Sequence, residues 1–482
     1  MNTHEFRSHA HELVDWMAEY LERVGEYPVT PPVHPGDIKN QLPATAPEHP
    51  ESFESIFRDF RSVILPGMTH WQHPGFFAYF PANNSEPSIL AEMLTATMGA
   101  QCMLWLTSPS AEELEERMME WLRDMLGLPG TFTGVIQDTA SSSTLVAILT
   151  AREHRSGYEI NRRGFTPADR FRVYTSTQGH SSIDKDVKIA GIGIENLVKV
   201  EVDEGFAMIP AKLEKSIQQD IADGLIPLCV VSTIGTTSST AIDPTEDIGM
   251  ICRKYNLWHH VDASYAGTAL ILPEMRWMSR GVELADSFVF NPHKWMFTNF
   301  DCSAYFVKDK QALINTFSIL PDYLKTPEDK LVNNYRDWGI PLGRRFRALK
   351  LWFVIRTYGI SGLQEKIRNH IQFGHWVKEE IIHSPGVELM APVTLNLVCF
   401  RFNPGTLTSE KELDALNEKI LERLNKSGRL FLTKTRLHDK VVLRFVAAQT
   451  HMCLEDVQQG WELIYETGKS ICRGEVGQPD RI

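Results

Sequence analysis

Short apolar runs alternate with segments of helical periodicity between residues 130 and 310, and this pattern restricts the possible folds more than any other feature. It is typical of consecutive strand–helix–strand units and predicts a mostly parallel sheet covered by helices, an α/β fold. The predicted strands are Arg172–Thr175, Leu197–Val200, Leu228–Ser232, His259–Asp262 and Phe288–Phe290. Because ligands of such sheets bind beyond the carboxyl ends of the strands, polar residues at those ends are candidate site residues.

The 482 residues are too many for one simple core, so we expect several packed segments. The predicted division is a helical segment at 1–85, a large α/β domain at 86–355 and a smaller α+β domain at 356–482. The amphipathic helix at residues 4–24 is followed by a proline-rich arm. Its apolar stripe therefore needs a partner, either the body of the protein or another subunit.

Charge and cysteine content exclude several classes of function. A formal net charge of −12 disfavours nucleic acid and anionic membrane surfaces as partners. No apolar run reaches the roughly 18 residues of a membrane span, and the first residues do not resemble a signal peptide. The seven cysteines are odd in number and form no Cys-x-x-Cys pair. We therefore expect free thiols, no metal site and a cytoplasmic location.

Lys294 lies in an unusual place for a residue that normally seeks water. It follows the apolar run Ser287–Phe290, and Pro292 between them cannot donate to a strand ladder, so the strand should end there and continue as a loop. Burial would lower the pKa of the lysine amine and make it nucleophilic, as Schiff-base chemistry requires. The alternative is a lysine that simply reaches solvent at a strand end.

Three further polar features fall near strand ends. Asp262 ends a predicted strand about one strand–helix–strand unit before Lys294, so both side chains can face the same crevice. The small hydroxyl residues of 138–144 precede an apolar helix predicted from Leu145; they provide either an ordinary helix cap or a cradle for a monophosphate. His180 offers a flat ring, although a single histidine is often structural. Lysine, carboxylate and helix start together describe a pyridoxal phosphate site.

Several motifs in this order make the chain resemble the pyridoxal-dependent group II decarboxylases, and within them the aromatic L-amino acid decarboxylases. The resemblance covers the chain from the amino-terminal helices to about residue 460. The motifs are His70–Pro74, Ala78–Pro81, Gln137–Ser141, His180–Ser182, Gly235–Thr237, His260–Ala263, Asn291–Trp295 and Pro341–Phe346. The resemblance implies the fold of aspartate aminotransferase-like enzymes (fold type I) and pyridoxal 5'-phosphate as the cofactor.

Roles for individual residues follow from the resemblance alone. It implies that Lys294 forms the internal aldimine, that Asp262 pairs with the ring nitrogen and that His180 stacks on the ring. The other residues expected around the cofactor are Ala140, Ser141, Asn291, His293 and Thr236, together with Ser264, where the family usually has a small aliphatic residue.

The family assigns protonation of the substrate Cα to a tyrosine on a mobile loop, and Tyr323 occupies that place. Relatives with phenylalanine there tend to release aldehydes, so Tyr323 favours the simple reaction that forms an amine and CO2. The alternatives are an aromatic aldehyde synthase, another group II decarboxylase, or a cofactor-free scaffold that binds a partner. The scaffold is disfavoured because Lys294 and Asp262 are present.

The resemblance also implies an aromatic substrate pocket in an obligate homodimer whose active sites lie at the interface. Gly343 matches a position where a small residue leaves room for a large side chain. Met103, with Gln101 and Cys102, departs from the apolar stretch that lines the neighbouring subunit's pocket in animal enzymes. The remaining expected pocket residues are Trp71, Tyr79, Phe80 and Pro81. The sequence does not rank dopa, 5-hydroxytryptophan, tryptophan, tyrosine and phenylalanine as substrates.

Overall fold

The computed structural model describes residues 1–319 and 327–474. Contacts within the chain divide it into two compact units. The large unit consists of Ala82–His375 and Ala391–Leu397, and the small unit of Met1–Pro81, Trp376–Met390 and the described residues from Val398 onward. The three consecutive segments expected from the sequence stay a prediction, because this division follows compactness rather than order along the chain.

The described residues form eleven strands and fifteen α-helices. The strands are β1 Thr133–Gln137, β2 Phe171–Ser176, β3 Leu197–Val200, β4 Ile226–Thr233, β5 Trp258–Asp262, β6 Ser287–Phe290, β7 Ser303–Val307, β8 Val387–Leu389, β9 Leu397–Phe402, β10 Thr433–Leu437 and β11 Lys440–Val446. The helices are α1 Thr3–Arg23, α2 Asp37–Gln41, α3 Phe53–Asp59, α4 Glu86–Met98, α5 Pro109–Leu126, α6 Ala140–Ser156, α7 Glu159–Arg163, α8 Ser182–Ile189, α9 Pro210–Ala222, α10 Thr245–Tyr255, α11 Pro292–Trp295, α12 Lys310–Phe317, α13 Arg347–His383, α14 Glu410–Lys426 and α15 Leu454–Cys472.

The large unit is built on a seven-stranded sheet in the order β1-β7-β6-β5-β4-β2-β3. Strands β3, β2, β4, β5 and β6 pair in parallel, whereas β7 runs antiparallel to both β6 and β1. The mostly parallel sheet and all five strands predicted from the sequence are confirmed. Their carboxyl ends meet at one edge of the sheet, and we call this edge the carboxyl edge.

Helix α6 crosses the core of the large unit. Its buried residues pack with Val173 of β2, Val231 of β4 and Val289 of β6 in one apolar cluster. The helix begins at Ala140, five residues before the start predicted from the apolar periodicity, because the hydroxyl of Thr139 accepts the N–H of Ser142 and caps it. The small hydroxyl residues therefore lie inside the first turns of the helix, next to the carboxyl edge.

The small unit contains a four-stranded sheet in the order β10-β11-β9-β8, on which α14 and α15 pack. Helix α1 was predicted at residues 4–24 and is observed at Thr3–Arg23; it buries none of its residues, although Trp16 meets the ring of Phe60 edge-on at 5.2 Å. Helix α13 breaks at Gly359, whose φ of 63° is readily adopted only by glycine. No helix among the described residues is long and apolar enough to cross a membrane.

Candidate active site

Lys294 lies on the single helical turn α11, immediately after β6. The expected loop is therefore wrong: Pro292 occupies the first helical position, where its missing N–H would have no partner within the helix. The backbone on both sides is held by Asn83, whose side-chain amide donates to the Lys294 carbonyl at 2.8 Å and whose N–H donates to the His293 carbonyl at 3.2 Å. Trp295 is fully buried and stacks on Tyr265 at 4.8 Å. The lysine backbone is thus rigidly placed.

The amine of Lys294 combines desolvation with a nearby negative charge. Its side chain keeps partial exposure, but burial lowers the pKa of the amine below its ordinary value, and the charge of Asp262 opposes that shift. A lowered pKa increases the fraction of neutral amine, which is the nucleophilic form. This electrostatic setting supports the Schiff-base interpretation over an ordinary surface lysine.

Asp262 is the last residue of β5 and is 5% exposed. Its Oδ1 accepts the N–H of Ser264 at 3.0 Å and also the hydroxyl of Ser264. Ser264, noted in the sequence as a departure from the family, therefore orients the carboxylate. Because Asp262 also raises the pKa of His180 and of Lys294, the three side chains share one electrostatic environment at the carboxyl edge.

His180 lies in the loop between β2 and α8, and its neighbours determine its tautomer. The backbone N–H of Ser182 donates to Nδ1 at 3.1 Å, and the Ser182 hydroxyl lies 2.8 Å from the same nitrogen. Since a backbone N–H can only donate, Nδ1 is the acceptor and the proton of the neutral ring resides on Nε2. Burial lowers the pKa of the imidazole, the charge of Asp262 raises it, and the neutral ring is favoured overall.

His293 and Asn291 flank the lysine turn and are both buried. Burial lowers the pKa of His293 to about 3, and its Nδ1 accepts the N–H of Cys302 at 2.9 Å, so the ring is neutral. The N–H of Asn291 donates to the Ser264 carbonyl at 3.0 Å. Its Oδ1 is buried and has no hydrogen-bond partner among the described residues. A buried amide oxygen without a partner is available to a hydrogen-bond donor from a bound group or a water.

The start of α6 and the loop after β4 complete the carboxyl edge. Ala140 is buried and Ser141 half-buried in the first turn of α6, where backbone N–H groups have no partner within the helix. Thr236 is fully buried, and its hydroxyl accepts the N–H of Ala241 at 3.0 Å. Thr236 therefore shapes its own loop, whereas the α6 start is open to an anion.

The expected pocket residues fall in both units. Trp71, Tyr79, Phe80 and Pro81 belong to the small unit, where Trp71 stacks on Tyr79 at 5.7 Å and Arg444 lies over the ring of Phe80 at 5.5 Å. Tyr79 is 49% exposed. Their part in a substrate pocket stays a prediction, and Tyr323 lies outside the described residues.

Met103 and Gly343 belong to the large unit, and Gln101 connects their segments. The Gln101 side-chain oxygen accepts the N–H of Arg344 at 2.8 Å, and a Cβ added to Gly343 would lie 3.1 Å from the Gln101 amide nitrogen. The Met103 carbonyl accepts the N–H of Arg336 at 3.1 Å. Gly343 and Gln101 thus limit the same space, which a larger side chain at 343 would invade.

Several residues of the site were missed by the reasoning from sequence. Asn83 and Cys302 hold the lysine turn, and Ser182 fixes the His180 tautomer. No pattern in the sequence distinguishes Asn83 from other loop asparagines, because its partners are 210 residues or more away along the chain. Ser182 carried a weak signal, since a serine two residues after a histidine can reach its ring.

The carboxyl edge therefore has the parts that hold pyridoxal phosphate. A lysine amine suits the aldehyde, a buried carboxylate suits the ring nitrogen, and a helix start whose first N–H groups have no partner within the helix suits a phosphate. These residues fit the cofactor, and they define the molecule as an enzyme of the lysine-linked pyridoxal phosphate class.

Comparison with known proteins identifies the family within this class. Residues 35–403 match the pyridoxal-dependent decarboxylase conserved domain. Aromatic-L-amino-acid decarboxylase of Mus musculus is 42% identical, with 98% of this chain and 100% of that protein covered. Phenylacetaldehyde synthase of Arabidopsis thaliana is 40% identical, with 97% and 96% covered. The crystal structure of Oryza sativa TDC with PLP and tryptamine has a TM-score of 0.94 at 35% identity, with 98% and 99% covered.

The chain belongs to the pyridoxal-dependent decarboxylase family. It is a carboxy-lyase, and its cofactor is pyridoxal 5'-phosphate. The fold type I architecture expected from the sequence is confirmed.

Proposed function

We propose that this enzyme decarboxylates aromatic L-amino acids to the corresponding amines and CO2. The observation that carries the proposal is the full-length similarity to enzymes named for that reaction, combined with a lysine, an aspartate and a histidine at one sheet edge. When bound, pyridoxal phosphate supplies an electron sink for the electron pair released as CO2 leaves. In this proposal the protein's side chains bind and orient the cofactor and the substrate, and they hold or deliver protons.

In this proposal Lys294 holds the cofactor through its amine and Asp262 keeps a proton on the ring nitrogen. Ser264 restrains the carboxylate in one orientation, since both its N–H and its hydroxyl donate to the same oxygen. The neutral His180 ring stacks on the cofactor and offers its Nε2–H as a donor, because Ser182 occupies Nδ1. A rotated or protonated His180 would lose this arrangement.

The phosphate is assigned to the start of α6, with Ala140 and Ser141, and to Asn291. His293 is neutral and contributes no charge near neutral pH, so we assign it a donor role toward phosphate or substrate. Thr236 is assigned a supporting role near the cofactor through the loop that its hydroxyl holds. The aromatic pocket is assigned to Trp71, Tyr79, Phe80 and Pro81 with Met103 and Gly343.

Tyr323 is proposed as the donor of the proton that the substrate Cα receives after CO2 leaves. A phenol on a closing loop would deliver this proton and exclude water from the site. The second candidate function is aromatic aldehyde synthesis, favoured by the similarity to phenylacetaldehyde synthase. The presence of a tyrosine at 323 supports the amine over the aldehyde.

Product analysis tests both functions. The purified holoenzyme is incubated under air with dopa, 5-hydroxytryptophan, tryptophan, tyrosine or phenylalanine, and amine, aldehyde, ammonia and peroxide are quantified. Amine without peroxide supports the decarboxylase; aldehyde with peroxide supports the second function; no turnover of any aromatic substrate contradicts both. Tyr323→Phe should yield less amine and new aldehyde, and unchanged amine output would remove Tyr323 from the proton-donor role.

A homodimer is proposed from an exposed apolar stripe on α4. The exposed side chains of this stripe follow helical spacing (i, i+3, i+4 and i+8), and they are Leu90, Met93, Leu94 and Met98. An apolar stripe of this kind favours a protein partner over water. Leu94→Glu should shift the sedimentation coefficient from dimer to monomer; an unchanged dimer would place the interface elsewhere.

All seven cysteines are free thiols, which supports a reducing compartment such as the cytoplasm.

A further inference from the structure

Asp186 is a buried carboxyl group for which the proposed mechanism has no use. It lies on α8, whose buried residues are Ile183, Asp186 and Val187, and it is 3% exposed. Ile183 and Val187 belong to the apolar cluster that packs on α6. One polar residue thus interrupts the apolar face of an otherwise ordinary amphipathic helix.

The carboxyl group of Asp186 is poorly satisfied inside the protein. Its Oδ2 is buried without a hydrogen-bond partner, and none of the salt bridges among the described residues includes Asp186. Burial of a carboxyl group in this way costs folding free energy. A costly group that no structural bond uses is a candidate for a functional role.

The electrostatic neighbour of Asp186 is the carboxylate that faces the cofactor. Burial and, to a lesser extent, the charge of Asp262 together raise the pKa of Asp186 to about 7, against the opposing charge of Lys185. The other charged groups on α8 and on the elements packed against it are engaged elsewhere or exposed: Asp184 with Lys199 at 2.7 Å, Arg152 with Glu153 at 2.8 Å, and the exposed Glu195.

Helix α8 also carries the residue that orients His180. Ser182, at the first position of α8, bonds to His180 Nδ1, and Asp186 lies one helical turn further along. The same helix therefore carries both the residue that supports the imidazole and a second buried acidic group.

We propose that Asp186 is a positioning residue of the cofactor site, whose negative charge acts through Asp262 to strengthen the hold on the protonated ring nitrogen. The inference rests on the role proposed above for Asp262. Protonated Asp186 adds no charge, whereas ionised Asp186 adds a second negative charge to the electrostatic environment of Asp262. Cofactor binding should therefore tighten as the pH rises through neutrality.

The stability of the apoprotein should show the opposite trend. The pKa of Asp186 is higher in the folded than in the unfolded chain, so its stabilising contribution is complete below about pH 4 and is lost as the pH rises through about 7. Asp186→Asn should accordingly raise the melting temperature of the apoprotein at pH 8 and change it less at pH 5.5. A stability cost of ionisation that coincides with tighter cofactor binding distinguishes a functional group from a packing defect.

The test compares pyridoxal phosphate binding to apoprotein of the wild type and of Asp186→Asn at pH 8 and pH 5.5. Binding is followed by the visible absorbance of the cofactor and by quenching of tryptophan fluorescence. We expect the variant to bind at least about threefold more weakly at pH 8 and within error of wild type at pH 5.5. The absorbance of the wild-type holoenzyme should also change with an inflection near pH 7 that the variant lacks.

Asp184→Asn is the matched control, because it removes the same charge from the same helix on a face that pairs with Lys199. It should leave the pH dependence of binding unchanged. Equal binding of wild type and Asp186→Asn at both pH values would overturn the proposal, as would an equal loss at both. If Asp186→Asn is insoluble, Asp186→Ser and the wild-type inflection near pH 7 decide in its place.

Asp262→Asn separates this proposal from the proposed function. If Asp262→Asn binds the cofactor weakly at both pH values while Asp186→Asn binds it like wild type, the role of Asp186 is overturned and that of Asp262 stands. Normal binding by Asp262→Asn overturns the assigned role of Asp262, and the action of Asp186 through it falls with that role. If both variants bind the cofactor weakly, and only the defect of Asp186→Asn depends on pH, the roles of both Asp262 and Asp186 are supported.

Discussion

The two units of this protein differ in how completely some of their buried polar groups are hydrogen-bonded. In the small unit, Asn417 is fully buried and uses its whole side chain: Oδ1 accepts the N–H of Phe402 at 2.8 Å, and the amide donates to the carbonyls of Phe402 and Leu413 at 2.9 Å each. Arg401, 4% exposed, donates to Glu388 and Glu410 at 2.8 Å each. These polar groups fix the fold of the small unit.

In the large unit some groups of the same kinds are left incomplete. Asn291 and Asp186 each have a buried oxygen without a partner among the described residues, and Lys294 is desolvated enough to lower the pKa of its amine. Satisfied buried groups stabilise the protein, whereas incomplete ones lower its stability until a ligand binds. The comparison therefore separates Asn417 and Arg401, which hold the fold, from Asn291 and Lys294, which are proposed to hold the cofactor.

The largest expected effect comes from Lys294→Ala. Loss of the amine should reduce turnover by at least about a thousandfold and remove the visible absorbance of the bound cofactor. Lys308→Ala is the matched control: Lys308 also follows a strand and also has a pKa lowered by burial, but its amine donates to the Glu283 carbonyl at 2.9 Å. Loss of cofactor absorbance in both variants would contradict the comparison. Steady-state rates and absorbance spectra provide the measurement.

Substitutions of two buried aspartates of the large unit should also have clearly different effects on turnover and stability. Asp262→Asn should lower turnover about a hundredfold, because an amide does not keep the ring nitrogen charged. Asp243 is 1% exposed and accepts the N–H groups of Met208 and Thr233 at 2.7 Å each. Asp243→Asn should instead lower the unfolding free energy by about 1–3 kcal/mol and spare cofactor affinity. Kinetics paired with urea unfolding distinguishes the two, and a shared phenotype would refute the distinction.

Substitution of two buried asparagines, one in each unit, tests the same difference between the units. Asn417→Ala leaves backbone groups of β9 without partners and should lower the unfolding free energy of the apoprotein by about 2–3 kcal/mol. Asn291→Ala removes an oxygen that has no partner and should cost the apoprotein less than about 1 kcal/mol, while weakening cofactor binding. Urea unfolding of both apoproteins and cofactor titration give the measurement. A larger stability loss for Asn291→Ala would place it among the residues that hold the fold.

The smallest expected effect concerns His260, two residues before Asp262 on β5. Burial lowers the pKa of His260 to about 4, and its two nitrogens lie 2.8 Å from the Ser287 hydroxyl and 3.3 Å from that of Thr144. The unfolded histidine binds a proton below about pH 6.5 and the folded one does not until about pH 4, so its contribution to stability falls as the pH falls. In His260→Asn the loss of apoprotein stability from pH 7 to pH 5 should be about 1–2 kcal/mol smaller. Parallel urea curves for both proteins would exclude this titration.

The sequence predicted the strands that show a run of apolar residues and the site residues that lie in recognisable motifs. The apolar runs predicted β2 to β6, and the rule that ligands bind at carboxyl ends brought Asp262 and Lys294 to one edge. Motifs then added His180 and Asn291, which the structure also places at that edge. These inferences needed no knowledge of side-chain direction.

The features that escaped prediction depend on how side chains point in three dimensions. The helical turn at Pro292, the bond of Ser182 to His180 and the inward face of Asp186 depend on backbone and side-chain directions that no periodic pattern in the sequence specifies. Strands β1 and β7 and the antiparallel direction of β7 also escaped, because a short apolar strand carries no mark of its direction. Tyr323 and the residues around it remain predictions from sequence.

The placement of the chemistry at strand ends bears on how such enzymes diverge in evolution. The interior positions of β5 are buried, and only its last residue, Asp262, reaches the carboxyl edge. Substitutions at exposed positions of the loops beyond the strands leave the sheet's packing intact and cost little folding stability. A lineage with this sheet can therefore change its substrate or its product gradually, through viable intermediates, while the residues proposed to hold the cofactor stay fixed.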